Sequence, residues 1–146
     1  MKNSYDYTKD EKYKSYEQFV YKSLIDLGFR ITNVGTMYLK DLILFAYYNN
    51  YYEINVTKLV KDFMQYKKIS HISYRTFINC IDYSLKNYDI HSFNKNFQNV
   101  FEINRNTFYL STKNLIVLLV NILSSKHNNY LFPNNLLLNE ENSTLL

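Results

Sequence analysis

Arg75 and Asn79 stand four residues apart, a spacing that puts both side chains on one face of a helix. Arginine can make paired hydrogen bonds to guanine, and asparagine can do the same to adenine, from the exposed N-terminal half of a helix in the major groove. Ser73, Tyr74 and Thr76 sit beside them and complete a set of groups able to reach base edges. A few residues upstream, Lys67 and Lys68 can pair with phosphates. Ser70 and His71 can offer a hydroxyl, an imidazole or backbone N–H groups to the same strand. The partner this chemistry fits is double-stranded DNA.

Other chemistries find less to work with. His71, His91 and His127 show no metal-ligand spacing with Cys80 or with the carboxylates, so no metal is expected. Cys80 is the single cysteine; its place inside an amphipathic segment argues for a small core or near-core residue and against a nucleophile. The two glycines, Gly28 and Gly35, cannot make a glycine-rich phosphate loop. Neither an enzyme nor a cofactor is expected. The net charge of +4 and pI near 9.0 are compatible with a nucleic-acid partner. Much of the surplus lies between Val56 and Tyr88, where Lys58, Lys61, Lys67, Lys68, Arg75 and Lys86 face only Asp62 and Asp82.

The elements that must position these residues read as helices. A chain of 146 residues with 47% apolar content fits one domain with a real core. Residues 1–14 read as a polar N-terminal segment, 15–125 as the helical domain and 126–146 as a tail. Phe19, Val20, Leu24 and Leu27 mark a helix from about Ser15 that Gly28 should end. Leu39, Leu42, Ile43 and Ala46 mark a second helix opening near Gly35 or Thr36, and Tyr47 to Tyr52 a turn. Val56, Leu59, Val60, Phe63 and Met64 carry the strongest helical period. After a short connector, Lys67 to Ile69, Ser70 or Ser73 should cap a fourth helix through Tyr74, Phe77, Ile78, Ile81 and Leu85. Two helices joined in this way form a helix-turn-helix.

Beyond it, Phe93, Phe97, Val100 and Phe101 mark a fifth helix, and Glu102 to Tyr109 a loop or extended piece. Ser111 should cap a final apolar helix, Thr112 to Leu123, expected at the centre of the core. The tail should pack, if at all, through Leu131, Phe132 and Leu136 to Leu138. The expected fold class is therefore all-α, about six helices around a central helix-turn-helix. Leu115 to Val120 is far shorter than the roughly 20 residues that span a bilayer, and the polar start holds no secretory signal. No membrane is expected, and the location expected is the cytoplasm.

The stretch GFRITNVGTMYLKDLI, Gly28 to Ile43, resembles the C-terminal DNA-binding effector domain of the stage 0 sporulation protein A family, the sporulation-initiation regulators of endospore-forming Firmicutes. In that family a glycine ends the first helix, and a second glycine seven residues later precedes an aromatic, x, Tyr-Leu, a basic residue, an acidic residue, x and Ile. Gly28, Gly35, Tyr38, Leu39, Lys40, Asp41 and Ile43 fall on those positions. Val56-Thr57-Lys58 matches the start of the family's helix-turn-helix, and NYDIHSF and LSTKNLIVLLVNIL continue the likeness. Coverage runs from about Phe19 to Leu123.

The resemblance implies sequence-specific transcriptional regulation by a recognition helix over residues 73–85, with a homodimer or a heterodimer with a related regulator as a further expectation. Helix-turn-helix proteins commonly dimerise to read two half-sites. The family's receiver domain has no room in this chain, so control by aspartyl phosphorylation within it is not expected. Three departures stand out. Only Arg75 is a long cation in the first three turns of the recognition helix, Phe29 and Arg30 replace the proline after the first glycine, and Val34 replaces a lysine. They motivate an alternative: a protein-interaction module or antagonist that pairs with a full-length regulator and does not bind DNA itself.

Overall fold

The computed structural model describes residues 6–101 and 103–131. Among them the chain is all-α: α1 Tyr13–Asp26, α2 Val34–Tyr48, α3 Val56–Tyr66, α4 Tyr74–Lys86, α5 Ile90–Phe101 and α6 Thr112–Leu131. Short 3-10 turns at Tyr7–Lys9 and Arg105–Thr107 complete the order, the second falling in the stretch expected to be loop or extended. Among the described residues no helix is long and apolar enough to cross a membrane.

Three helices end in the same way, and the ending explains where the chain turns. After α1, the Gly28 N–H donates to Ile25 O and the Phe29 N–H to Leu24 O, with Gly28 at φ +93°. This is the Schellman arrangement, in which one left-handed residue lets the chain satisfy its last carbonyls. Asn50, at φ 56°, does the same after α2 through Tyr47 O and Ala46 O, and Lys68 after α3 through Gln65 O and Met64 O. Each left-handed residue is followed by a ring or aliphatic side chain packed on the core: Phe29, Tyr51 and Ile69. Lys68 also has φ 56°, a conformation that costs a residue with a Cβ about 1–2 kcal/mol.

Helix starts follow the capping chemistry of the sequence. The side chain of Asn55 accepts from Lys58 N, and that of Ser73 from Thr76 N. Ser111 accepts from Asn114 N, and Asp89 from the N–H groups of His91 and Ser92. The connector between α3 and α4 is longer than expected. It runs from Lys67 to Ser73, because Ser73 and not Ser70 is the cap and the left-handed turn at Lys68 precedes it.

The core is organised around α2, not around α6 as the apolar sequence of α6 suggests. Leu42, Ile43, Leu44, Phe45 and Ala46 are all buried, and α2 packs against α1, α3, α4 and α6. Among the described side chains of α6, the stripe Leu115, Ile116, Leu119 and Leu123 is buried and the others are half-buried or exposed. The N-terminal residues are also more than a polar lead-in. Tyr7 is buried, with its ring 4.9 Å from that of Tyr48 and 5.6 Å from that of Tyr66. At the other end α6 continues to Leu131, past the expected domain edge at residue 125. The expected packing of Leu131, Phe132 and Leu136 to Leu138 falls on side chains outside the described residues.

Candidate nucleic-acid interface

What fixes α4 is its inner face. Phe77, Ile81 and Ser84 are buried, and the Phe77 ring stacks on Tyr38 of α2 at 4.1 Å. The closest approach is at Gly35, where an added Cβ would lie 2.1 Å from Cys80 O and 2.5 Å from Ser84 Oγ. Only a glycine lets α2 and α4 come this near. Gly28 performs a related service at the far end of α4: its carbonyl accepts from Asp89 N at 2.8 Å, and a Cβ there would lie 2.4 Å from Asp89 O. Arg30 donates through Nε to Asn87 O at 3.0 Å. It satisfies a carbonyl at the end of α4.

The first turn of α4 is tied to α3. The Tyr74 hydroxyl donates to Thr57 Oγ1 at 3.1 Å, the Lys61 ammonium sits 5.4 Å from the centre of the Tyr74 ring, and Phe77 meets Phe63 at 6.0 Å between ring centroids. Tyr74 is thus half-buried and engaged as a strut between the helices. Ser73 is engaged too: its hydroxyl accepts from Thr76 N and donates to Thr76 Oγ1.

Arg75 and Asn79 are different. Both are exposed on the outer side of α4, and neither side chain forms a hydrogen bond or ion pair with another described residue. Helical spacing extends their row to Asp82, Tyr83 and Lys86, all exposed. Sequence reasoning left out these last three; continuing the step of three or four residues along α4 would have found them. Asp82 places one negative charge in a row otherwise neutral or positive.

The upstream candidates stand apart from this row. Lys67, Lys68, Ser70 and His71 lie in the connector. Lys67 follows the C-terminus of α3, whereas Tyr74 touches Thr57 at its start, so about 15 Å of helix separates Lys67 from Tyr74 along α3. Hydrogen bonds from Thr8 hold the Asp6 carboxyl below its usual value, and the charges of Lys9 and Lys67 act in the same direction. Two nearby lysines are already occupied: Lys58 pairs with Asp62 at 2.9 Å, and Lys61 covers Tyr74.

Between the outer row and α2 lies an open groove of 420 Å³. Asn33, Val34 and Gly35 form one bank, Thr76, Asn79 and Tyr83 the other, and Cys80 reaches it from α4. The free Cys80 is half-buried here, a near-core position. The polar atoms Asn33 Nδ2, Thr36 Oγ1 and Ser84 Oγ are buried close to this joint without a hydrogen-bond partner among the described residues. Exposed apolar side chains edge the groove: Val34 and Tyr83 on its banks, with Ile31 and Met37 nearby in sequence.

Lys40 and Asp41, which follow the Tyr-Leu pair, act within the fold. The Lys40 ammonium lies 2.7 Å from Glu17 of α1 and 3.3 Å from Asp41. Burial works to lower its pKa, but the hydrogen bond to Glu17 and the two carboxylate charges win and raise it. For Asp41 burial wins and raises the carboxyl, against the pull of Lys40. Among the described residues no group of three or more His, Cys, Asp or Glu side chains is placed to hold a metal ion. No protein-family model, curated protein or solved structure matches this chain.

Proposed function

We propose that this chain is a sequence-specific, DNA-binding transcriptional regulator of the cytoplasm, a receiver-less relative of the sporulation-initiation effector domain. In this reading α4, over residues 73–85, lies in the major groove of double-stranded DNA. The observation that carries it is the contrast within one helix: the inner face is locked against α2 and α3, and the outer row of Arg75 and Asn79 is left without partners. Arg75 and Asn79 read base edges, while Ser73 and Tyr74 set the angle of the helix. Lys67, Lys68 and His71, on the connector, meet phosphates of the same duplex. Two copies, or one copy and a related regulator, would occupy two half-sites.

The test is binding of duplex DNA across a salt series. The logarithm of the affinity should fall linearly with the logarithm of salt concentration, and replacing Lys67 and Lys68 by alanine should lower the slope by about one for each phosphate no longer neutralised. No measurable binding to any duplex at low salt would overturn the reading.

A second reading has its own support. Val34 and Tyr83 are exposed apolar side chains lining the groove beside Asn79, Ile31 and Met37 are exposed close by in sequence, and apolar residues gathered at one edge suit a protein partner. Under this reading the chain pairs with a full-length regulator through the same surface. Capture of that regulator should then survive nuclease and Arg75→Ala but fail with Tyr83→Ala.

A further inference from the structure

A second cavity lies at the opposite end of α2 from the α4 joint. It measures 550 Å³, within the range of small-ligand sites. Its floor is Ala46 and its walls include Tyr16, Tyr47, Tyr48 and Tyr52, with Val120 and Asn121 of α6 closing one side. Tyr16 is buried and Tyr52 almost fully exposed, so the rings run from the core to the mouth.

The electrostatics of this cavity favour a positive guest. Asp10 and Glu11 line it against the single ammonium of Lys12, and neither carboxylate forms an ion pair with another described residue. Asp10 accepts from the Tyr48 hydroxyl at 2.8 Å, which fixes the carboxylate at the wall without neutralising it. The C-terminus of α2 ends here, with no basic residue in its last turn, so the negative end of the helix dipole adds to the same field. Burial first, then hydrogen bonds to Tyr16 and Asp10 respectively, keep the Tyr47 and Tyr48 phenols protonated well above their usual range. Tyr16 and Tyr48 each pack on Tyr47 near a right angle, at 5.4 and 5.1 Å between ring centroids, and a cluster of neutral, electron-rich phenol rings with a carboxylate at its edge can recognise quaternary and other organic ammonium groups.

We infer that the tyrosine-walled cavity between the N-terminal turn, the end of α2 and α6 binds a small organic cation of the quaternary ammonium class. The inference stands independently of DNA binding. Its position gives α2 two occupied ends, a ligand at one and α4 at the other.

The experiment titrates the whole chain with tetramethylammonium and with choline, using 3,3-dimethylbutan-1-ol as the uncharged carbon isostere of choline. Backbone and methyl NMR shifts at Ala46, Tyr47 and Val120 report occupancy. Both cations should give saturable shifts confined to these positions, and the isostere should bind about tenfold more weakly. Asp10→Asn, which keeps the shape and the bond from Tyr48, should weaken choline about tenfold. Tyr52→Ala, at an exposed position outside the core, should weaken it severalfold. The inference fails if neither cation gives a saturable shift, if the isostere binds as well as choline, or if both variants bind as the parent does.

Discussion

The tyrosine-rich side of the molecule and the outer face of α4 use polar residues in opposite ways. On the first, polar groups find one another. Tyr48 donates to Asp10, Tyr51 to Asp62, Tyr13 reaches Glu17, and Lys40 joins Glu17 to Asp41. On the second, Arg75, Asn79 and Lys86 have no partner among the described residues. Buried polar groups stabilise a fold only when satisfied, so the first region holds the domain together. An outward-facing, unsatisfied row on a rigid helix costs the fold nothing and stays available to a partner.

Alkali should break the first region most completely. Tyr7, Tyr47, Tyr48 and Tyr51 all have phenols raised chiefly by burial. Above pH 10 the unfolded chain releases phenolic protons that the folded chain retains, so fewer protons are bound when unfolded and stability falls as pH rises. The loss should begin near the ordinary phenol value of 10.0 and steepen towards about 12, to which burial and the Glu17 charge push Tyr13. Circular dichroism and tyrosinate absorbance should change together; tyrosinate appearing in a fully folded chain would show that these phenols are not held.

The joint between the two regions is the next point of attack. Gly35→Ala should cost about 3 kcal/mol, because the new methyl meets the Cys80 carbonyl and two backbones must separate. Denaturant unfolding reads this directly, and an unchanged midpoint would mean that α2 and α4 are not packed as described. Arg75→Ala should do the reverse, leaving the midpoint within error and weakening DNA binding by about 1–3 kcal/mol. A large fall in stability would place Arg75 in the fold and not at the interface.

Smaller effects sharpen the contrast. Lys68→Gly relieves a left-handed lysine and should raise stability by about 1 kcal/mol while lowering DNA affinity, a trade expected where strain sits at a functional position. If affinity is unaffected, Lys68 is a helix terminator only. Asp82→Asn removes the one acid from the outer row and should tighten DNA binding by a few-fold at low salt; weaker binding would assign Asp82 a role of its own at the interface.

How much of the fold is legible in the sequence depends on whether a residue's type reveals its backbone role. Gly28 announces the end of α1, and the apolar period of Val56 to Met64 announces α3, because both signals are local. Lys68 gives no such signal: a lysine in the left-handed region ends α3 as Gly28 ends α1, and the connector outruns the length its sequence suggests. Tyr7 is hidden for a different reason. One aromatic in a polar segment has no period, and its burial depends on Tyr48 and Tyr66, far away in sequence. α6 looks central from its composition, but a helix that is apolar over much of its surface does not reveal which stripe the other helices will cover.

At the candidate site, spacing alone places Arg75 and Asn79 together on one outer face, as the structure has them. It does not separate them from Ser73 and Tyr74, whose hydroxyls cap α4 and bridge to Thr57. Side-chain hydrogen bonds within one turn compete with outward contacts, and only coordinates show which wins.

The central claim is that the outer row of α4 reads DNA sequence, and selection from a library of random duplexes at low salt tests it most directly. One enriched motif is predicted for the parent chain, with discrimination lost at defined base pairs in Arg75→Ala and in Asn79→Ala while both variants melt as the parent does. No enrichment, or a motif that neither substitution alters, would contradict it.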